Sequence, residues 1–198
     1  LKPVLFTSRH ERTRAFIKIQ DGCHSYCTYC IVPYTRGAVR SKNPQHVQSE
    51  LKRLVDLGYR EIVLTGIHTG LYGYDLKNTN LTELLCQLLA EVDGDYRIRL
   101  SSIEPLEISP QLLDLVQQEP RICRHFHIPL QSGSDPILKA MNRRYDRQYY
   151  RDLILSIARR IPGVGITADV MVGFPGESEQ DFQATYDLLA ELPVSDLH

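Results

Sequence analysis

Short apolar runs that alternate with longer segments of helical spacing restrict the fold of this chain more than any other feature. Ala15–Gln20 alternates as a strand does. After a cysteine-bearing loop and the stretch Arg36–Pro44, His46–Leu57 carries Val47, Leu51, Leu54 and Val55 at the spacing of one helix face, and Gly58 stops it. The pattern then recurs. Strands are predicted over Glu61–Leu64, Arg97–Ser101, Phe126–Leu130 and Val164–Val172, and helices over Leu81–Val92, Pro110–Gln118, Pro136–Met141, Gln148–Ile161 and Glu179–Leu192. Such alternation predicts an α/β fold built of βαβ units around a parallel sheet. Five units and the opening of a sixth strand at Asp196-Leu197 are too few for a complete eightfold barrel, which leaves a partial barrel or an open, doubly wound sheet.

In either arrangement ligands bind beyond the C-terminal ends of the strands, so the residues there matter most. They are Asp21-Gly22-Cys23, Thr65-Gly66-Ile67-His68-Thr69-Gly70, Ser101 with Ser102 and Glu104, Gln131-Ser132-Gly133-Ser134-Asp135, and Gly173-Phe174-Pro175-Gly176-Glu177. Glycine and small polar residues let backbone approach a ligand, which predicts one binding face. The 198 residues suffice for one domain with a buried core. A formal net charge of -1 supplies no whole-chain field for nucleic acid and leaves RNA to a local patch or another domain. No apolar run has the length of a bilayer span and the first residues hold no signal-peptide core, which predicts a cytoplasmic protein with no membrane partner. The chain lacks an initiator Met and stops at His198 just as a strand opens, so it reads as a fragment: residues 1–14 a linker from a missing N-terminal domain, residues 15–198 a core domain incomplete at its C-terminus.

Three of the five cysteines fall within eight residues, unlike a secreted disulfide framework. Cys23-His-Ser-Tyr-Cys27-Thr-Tyr-Cys30 has C-x3-C-x2-C spacing. Three thiolates on one loop can hold three corners of a cubane cluster and leave one iron open to a small molecule. A structural zinc with His24 or another side chain as fourth ligand is the alternative; against it, His24 adjoins Cys23, and zinc sites favour paired knuckles from two places in the chain. Cys86, in an apolar helix, and Cys123, between helix and strand, read as small buried hydrophobes.

The C-x3-C-x2-C run with Tyr29 before its last cysteine resembles the signature of the radical S-adenosylmethionine (SAM) superfamily. Lys18-Ile-Gln-Asp-Gly-Cys23, Cys30-Ile-Val-Pro-Tyr-Thr-Arg-Gly37, His127-Ile-Pro-Leu-Gln-Ser-Gly-Ser-Asp135, Met141-Asn-Arg-Arg-Tyr145 and Asp169-Val-Met-Val-Gly-Phe-Pro-Gly-Glu177 resemble its methylthiotransferases, over nearly the whole chain. Thr65-Gly-Ile-His-Thr-Gly70 and Ser101-Ser-Ile-Glu-Pro105 are most similar to the branch acting on threonylcarbamoyladenosine in tRNA, and less so to the isopentenyladenosine and ribosomal-protein branches. The resemblance implies a partial (β/α)6 barrel of the TIM type truncated at its sixth strand, a 4Fe-4S cluster on Cys23, Cys27 and Cys30, and SAM cleaved to a 5'-deoxyadenosyl radical. It also implies the tRNA anticodon loop as substrate, an electron donor such as flavodoxin or ferredoxin, and a second 4Fe-4S cluster in the missing N-terminal domain. A radical SAM reaction on another substrate and a noncatalytic zinc-stabilised scaffold are the other function classes.

By the same resemblance Tyr29 packs near the adenine, and Thr65 and Gly66 offer backbone carbonyls to the methionine amino group, although the acidic residue usual after them is absent. Ser102 and Glu104 suit the methionyl or ribose portion, Gln131 and Ser132 the ribose hydroxyls or the carboxylate, and Gly173, Phe174 and Pro175 the adenine. Plainer uses stand beside these. Tyr29 suits an ordinary buried position; Gln131 and Ser132 can cap the helix near Pro136, where Ser134 and Asp135 are better placed; Gly173–Gly176 makes a tight turn into a helix opened by Glu177 and Ser178. Asp169, beside Ala168 and Val170 in a predicted strand, needs a polar partner or SAM, because an isolated buried carboxylate is costly. His125 and His127 point the same way along one strand and read as packing residues or as supports behind the site's ligand-contacting groups, not as metal ligands. Arg143 and Arg144, assigned to a helix, either pair with a carboxylate or RNA phosphate or form a solvated face. Asp21, Thr35, Arg36 and Arg40 flank the cysteine loop; Arg36, Arg40 and Lys42 are the local candidates for anticodon-loop phosphates, or else a solvated basic run.

Overall fold

The computed structural model describes residues 13–198. The predicted linker therefore lies outside the described residues over 1–12, and its last residue, Arg14, already belongs to β1 (Arg14–Lys18). A two-residue strand β2 (Gln20–Asp21), the short helix α1 (Val32–Arg36) and β3 (Arg40–Ser41) follow. Next come α2 (Pro44–Asp56), β4 (Glu61–Thr65), α3 (Leu81–Glu91), β5 (Arg97–Leu100), α4 (Pro110–Gln118) and β6 (His125–His127). The chain ends with α5 (Asp135–Ala140), α6 (Arg147–Arg160), β7 (Gly165–Ala168), α7 (Glu179–Glu191) and β8 (Asp196–Leu197).

Two three-stranded parallel sheets, β1-β4-β5 and β6-β7-β8, make the wall. Parallel bridges of Ile98 with Ile122 and of Ser102 with His127 join them, supported by Ile98 N donating to Arg121 O (2.7 Å) and Cys123 N to Ile98 O (2.9 Å). Apart from the β2–β3 ribbon, which stands outside the wall, strand order follows chain order without reversal. A doubly wound sheet must reverse at its switch point; this wall is that of a partial (β/α)6 barrel.

The outer face of the wall carries the core. Ile17, Ile62, Leu64, Ile98, Leu100, Phe126 and Ile166 are buried there with Leu51 and Leu54 of α2, Leu84, Leu85 and Leu88 of α3, Leu112 of α4, and Ile154 and Ile157 of α6. On the inner face Arg97 and Arg99 alternate with the buried Ile98 and Leu100, Phe16 and Val63 stand in register with Arg99, and Glu61 pairs with Arg14 (2.9 Å) and Arg99 (2.7 Å). Caps fix the helix starts. Asn43, Asn80, Ser109 and Asp146 each accept a hydrogen bond from a first-turn amide, and Pro44 and Pro110 stand in the first turn, where a missing N–H costs nothing. Ser178 and Asp181 form a reciprocal capping box on α7. Ser134 occupies the N-cap of α5 but donates its hydroxyl to Asp181 (2.5 Å) instead of capping.

Three differences from expectation bear on the site. The stretch between the cysteine loop and α2 holds α1 and β3, two elements too short to leave a periodic trace. β6 stops before Pro129, which has no N–H to give the ladder. β7 ends at Ala168, so Asp169 lies just past its C-terminal end.

Candidate functional site

The cysteine loop is clamped from two sides. At its base, β2 and β3 pair antiparallel and Cys23 N donates to Gly37 O (3.1 Å). Gly22 has φ +79°, and a Cβ there would lie 2.0 Å from Ala38 O, so only glycine fits. Asp21 holds this base through Lys18 (2.9 Å), Arg40 (3.6 Å) and its own contact with Gly22 N (3.0 Å). On the far side Thr28 bonds through N to Met141 O (3.2 Å) and through Oγ1 to Ala140 O (2.9 Å), while Asn142 Nδ2 donates to Ser25 O (3.1 Å) and Tyr26 O (3.0 Å). Residues more than a hundred positions apart thus fix one loop.

Cys23, Cys27 and Cys30 are free, half-buried thiols lining one cavity of about 250 Å3. Tyr29, Ser102, Glu104, Gln131, Arg143 and Asp169 line it too. A cubane takes each of three thiolates on a different iron, which three thiols on one loop can supply. His24, the nearest sequence candidate for a fourth zinc ligand, has its ring packed on Tyr74 at 5.0 Å.

Arg143 sits in an irregular turn, not on a helix, and its side chain is only 7% exposed; the solvated-face reading of this residue is overturned. It donates to Glu104 Oε2 (2.6 Å) and to Tyr29 OH (2.5 Å), and its guanidinium lies over the Tyr29 and Tyr145 rings. Burial pushes the Tyr29 phenol up to about 12. Phe174 meets Tyr29 edge-on at 6.5 Å, which brings the Gly173–Gly176 turn to the cysteine loop. Gln131 adopts φ +68°; its N donates to Asp169 O (2.8 Å), and its own carbonyl accepts from Met171 N (2.9 Å). Asp169 has the expected polar partners: His127 Nε2 at 3.0 Å and His198 Nδ1 at 3.5 Å. Thr167 Oγ1 holds the other nitrogen of His127 at 2.8 Å.

Other expected residues stand elsewhere. Ser132 is fully buried, its hydroxyl against Thr185 Oγ1 (3.3 Å) and Ser134 N (3.2 Å), and it does not line the cavity. Thr65 O already accepts from Ile19 N (2.8 Å), and Gly66 makes room for Gln20, whose Cβ and amide oxygen would lie about 3 Å from an added Cβ. Lys42 is 4% exposed and paired with Glu50, so it offers nothing to a phosphate. Cys86 is exposed on α3 rather than buried; Cys123 is buried as expected. Arg36, Arg40 and Arg144 are exposed.

Sequence reasoning missed Gln20, His68 and Glu107. Gln20 is fully buried; its amide accepts from His68 N (2.8 Å) and donates to Asp21 O (3.0 Å) and Gly22 O (2.7 Å). His68 Nδ1 lies 3.2 Å from Cys23 Sγ, and its Nε2 pairs with Glu107. Burial opposes charge on the His68 ring, but the bonds to Cys23 and Glu107 outweigh it and raise the ring to about 10. Burial likewise opposes ionisation of Cys23, yet His68 and Ser25 bring that thiol down to about 7. Burial pushes Cys27 up. The signal for His68 was its position, in the glycine-flanked run past the second predicted strand.

A parallel partial barrel with a three-cysteine loop beyond its first strand defines a class, and comparison with known proteins names it. Residues 17–189 match the model of the radical SAM superfamily, and the chain belongs to that superfamily. Among individual proteins it is similar to the threonylcarbamoyladenosine tRNA methylthiotransferase MtaB of Bacillus subtilis, 46% identical over 188 residues, which are 95% of this chain and 42% of that protein. It is also similar to the tRNA-2-methylthio-N(6)-dimethylallyladenosine synthase of Desulforamulus reducens, 42% identical over 93% of this chain and 40% of that protein. The chain thus spans about two fifths of the length of these curated relatives. Among solved structures, the radical SAM methyltransferase TsrM of Kitasatospora setae shares the fold at a TM-score of 0.75 and 17% identity, over 93% of this chain and 35% of that one. Coproporphyrinogen III oxidase (HemN) of Escherichia coli does so at 0.60 and 20%, over 93% and 43%. No helix among the described residues is long and apolar enough to cross a membrane.

Proposed function

We propose that this chain is the SAM-cleaving core of a tRNA methylthiotransferase that adds a methylthio group to N6-threonylcarbamoyladenosine next to the anticodon. The observation that carries the reading is the convergence of three thiols of one loop with Glu104, Gln131, Arg143 and Asp169 on one cavity. Cys23, Cys27 and Cys30 would hold a 4Fe-4S cluster, and the chemistry it would supply there is the one-electron reduction that cleaves SAM.

The chain's own residues orient SAM. Asp169 and Glu104 accept from its hydroxyl and ammonium groups; the Arg143 guanidinium, already over Tyr29, attracts its carboxylate. Tyr29 and the Gly173–Pro175 turn flank the adenine, and the half-buried walls limit water at the reacting carbon. Ser132 acts only through the turn it stiffens, and the Thr65 carbonyl keeps one lone pair for a ligand.

The substrate assignment rests on the relatives' names and on the rim. Tyr26 and Tyr34 are 51% and 76% exposed, their rings 5.7 Å apart, and Arg36, Arg40 and Arg144 are exposed too. Aromatic faces among cations suit unpaired bases of an RNA loop. The dimethylallyladenosine substrate is the second reading, favoured by the nearly equal identity to that branch. The whole protein also carries a second 4Fe-4S cluster and an RNA-binding domain beyond this chain, works in the cytoplasm, and takes electrons from a flavodoxin or ferredoxin.

The test is anaerobic reconstitution with iron and sulfide, followed by a SAM cleavage assay with dithionite. Brown protein that yields 5'-deoxyadenosine, and loses this when Cys23, Cys27 or Cys30 becomes Ala, is the expected result. Colourless, zinc-retaining protein that ignores SAM overturns it. Mass analysis of tRNA treated with the whole protein then separates the two nucleosides.

A further inference from the structure

Only one of the three thiols has a built partner. Cys23 Sγ sits 3.2 Å from His68 Nδ1. The ring is 8% exposed and cannot turn away, because both ends of the residue are committed: its backbone N donates to the buried Gln20 amide (2.8 Å), and Nε2 pairs with Glu107, itself only 16% exposed. Glu107 is fixed in turn, closing a single 3-10 turn with its N bonded to Glu104 O (3.0 Å). A side chain held at both ends against one sulfur is a support for that sulfur. Cys27 and Cys30 have no such partner among the described residues.

We propose that His68, backed by Glu107, is a positioning residue that donates an N–H···S hydrogen bond to the Cys23 thiolate and raises the reduction potential of the cluster held there. The inference rests on the cluster assignment made above. The physical reason is electrostatic. Reduction adds one electron to the cluster, and the added negative charge spreads onto the thiolate sulfurs. A donor aimed at one sulfur stabilises the reduced form more than the oxidised one, so the potential rises. The carboxylate behind the ring fixes its orientation and makes it a better partner, as acidic groups do behind metal-site histidines. The proposal needs only a proton on Nδ1, the nitrogen facing the sulfur. No atom is transferred; the single electron comes from the external reductant of the established superfamily chemistry. The corner at Cys23 is therefore electronically distinct from the other two.

The experiment is a redox titration of the cluster-loaded protein followed by electron paramagnetic resonance, with iron counted per chain. His68→Leu removes the donor and is expected to shift the midpoint to more negative values at full iron content. His68→Gln, which keeps an N–H, is expected to recover part of that shift. Glu107→Gln, which keeps the shape and removes the charge behind the ring, gives a smaller shift of the same sign and serves if His68→Leu does not load iron. Unchanged midpoints in His68→Leu and Glu107→Gln at full iron overturn the proposal and leave His68 a packing residue. A wild-type protein that binds no cluster under the same reconstitution instead sinks the proposed function, so the two failures are distinguishable.

Discussion

Arg143 shows how much one side chain decides at this site. Its guanidinium joins Glu104, Tyr29 and the Tyr145 face, and so ties the cysteine loop to the segment after β5. Breaking a buried ion pair costs about 3–5 kcal/mol. Here the two side chains are 7% and 26% exposed, so the loss on Arg143→Ala is expected nearer about 2 kcal/mol, read from the urea midpoint. Arg143→Lys should recover only part, because an ammonium is a point charge and cannot serve Glu104 and the Tyr29 hydroxyl together. Full recovery by lysine would mean that charge alone matters. The residue type and the sequence around it are compatible with a solvated helix; only the fold reveals that Asn142, at φ +59°, breaks the helix and turns the next residue inward. Lys42 went the same way, since a basic run gives no sign that one member meets Glu50.

At the scale of elements, the short pieces hold the site and the long ones hold the fold. The β2–β3 ribbon exists because Gly22 lets the chain pass against Ala38, so Gly22→Ala should leave the long helices intact and open the loop's base. The expected readout is near-native far-ultraviolet circular dichroism with sharply reduced iron loading; normal loading would refute it. Glu61 links β1, β4 and β5 on the inner face. The Arg99 hydrogen bond, then the nearby Arg14 charge, hold its carboxyl below the ordinary value of 4.5 against the opposing effect of burial. A carboxylate with a lowered folded pKa stabilises above its unfolded pKa and loses that contribution as pH falls through the folded value. The stability gap between wild type and Glu61→Gln should therefore be constant near neutral pH and narrow below about pH 4.5. A gap that holds at pH 3 would show the ion pair to be silent. Of the elements, α4 was legible to the residue, since Ser109 and Pro110 announce its start; α1 was not, because five residues are too few for a period to register.

For the molecule as a whole, the cavity bridges both halves of the wall: the cysteines and Glu104 come from the β1-β4-β5 side, Gln131 and Asp169 from the β6-β7-β8 side. A ligand bound there must stabilise the halves together. At a hundredfold excess over Kd, SAM adds about 2.7 kcal/mol to the loaded protein. Hydrogen exchange should accordingly slow at residues 23–30 and at 173–177 in one step, although they lie in different sheets' loops. Protection confined to one half would mean that SAM does not span the cavity.

The amino-acid sequence by itself determined the α/β alternation, the parallel direction of the strands and the clustering of three thiols, because each is a local matter of period, punctuation or spacing. It was also enough for the superfamily. What the tertiary structure alone decided is which polar groups meet. Gln20, His68 and Glu107 lie 48 and 39 positions apart in succession, yet form one buried chain ending on Cys23. No local pattern encodes such a meeting. It follows from parallel strands delivering distant residues to the same end of the barrel, where a buried polar group is tolerated only if it finds its partner.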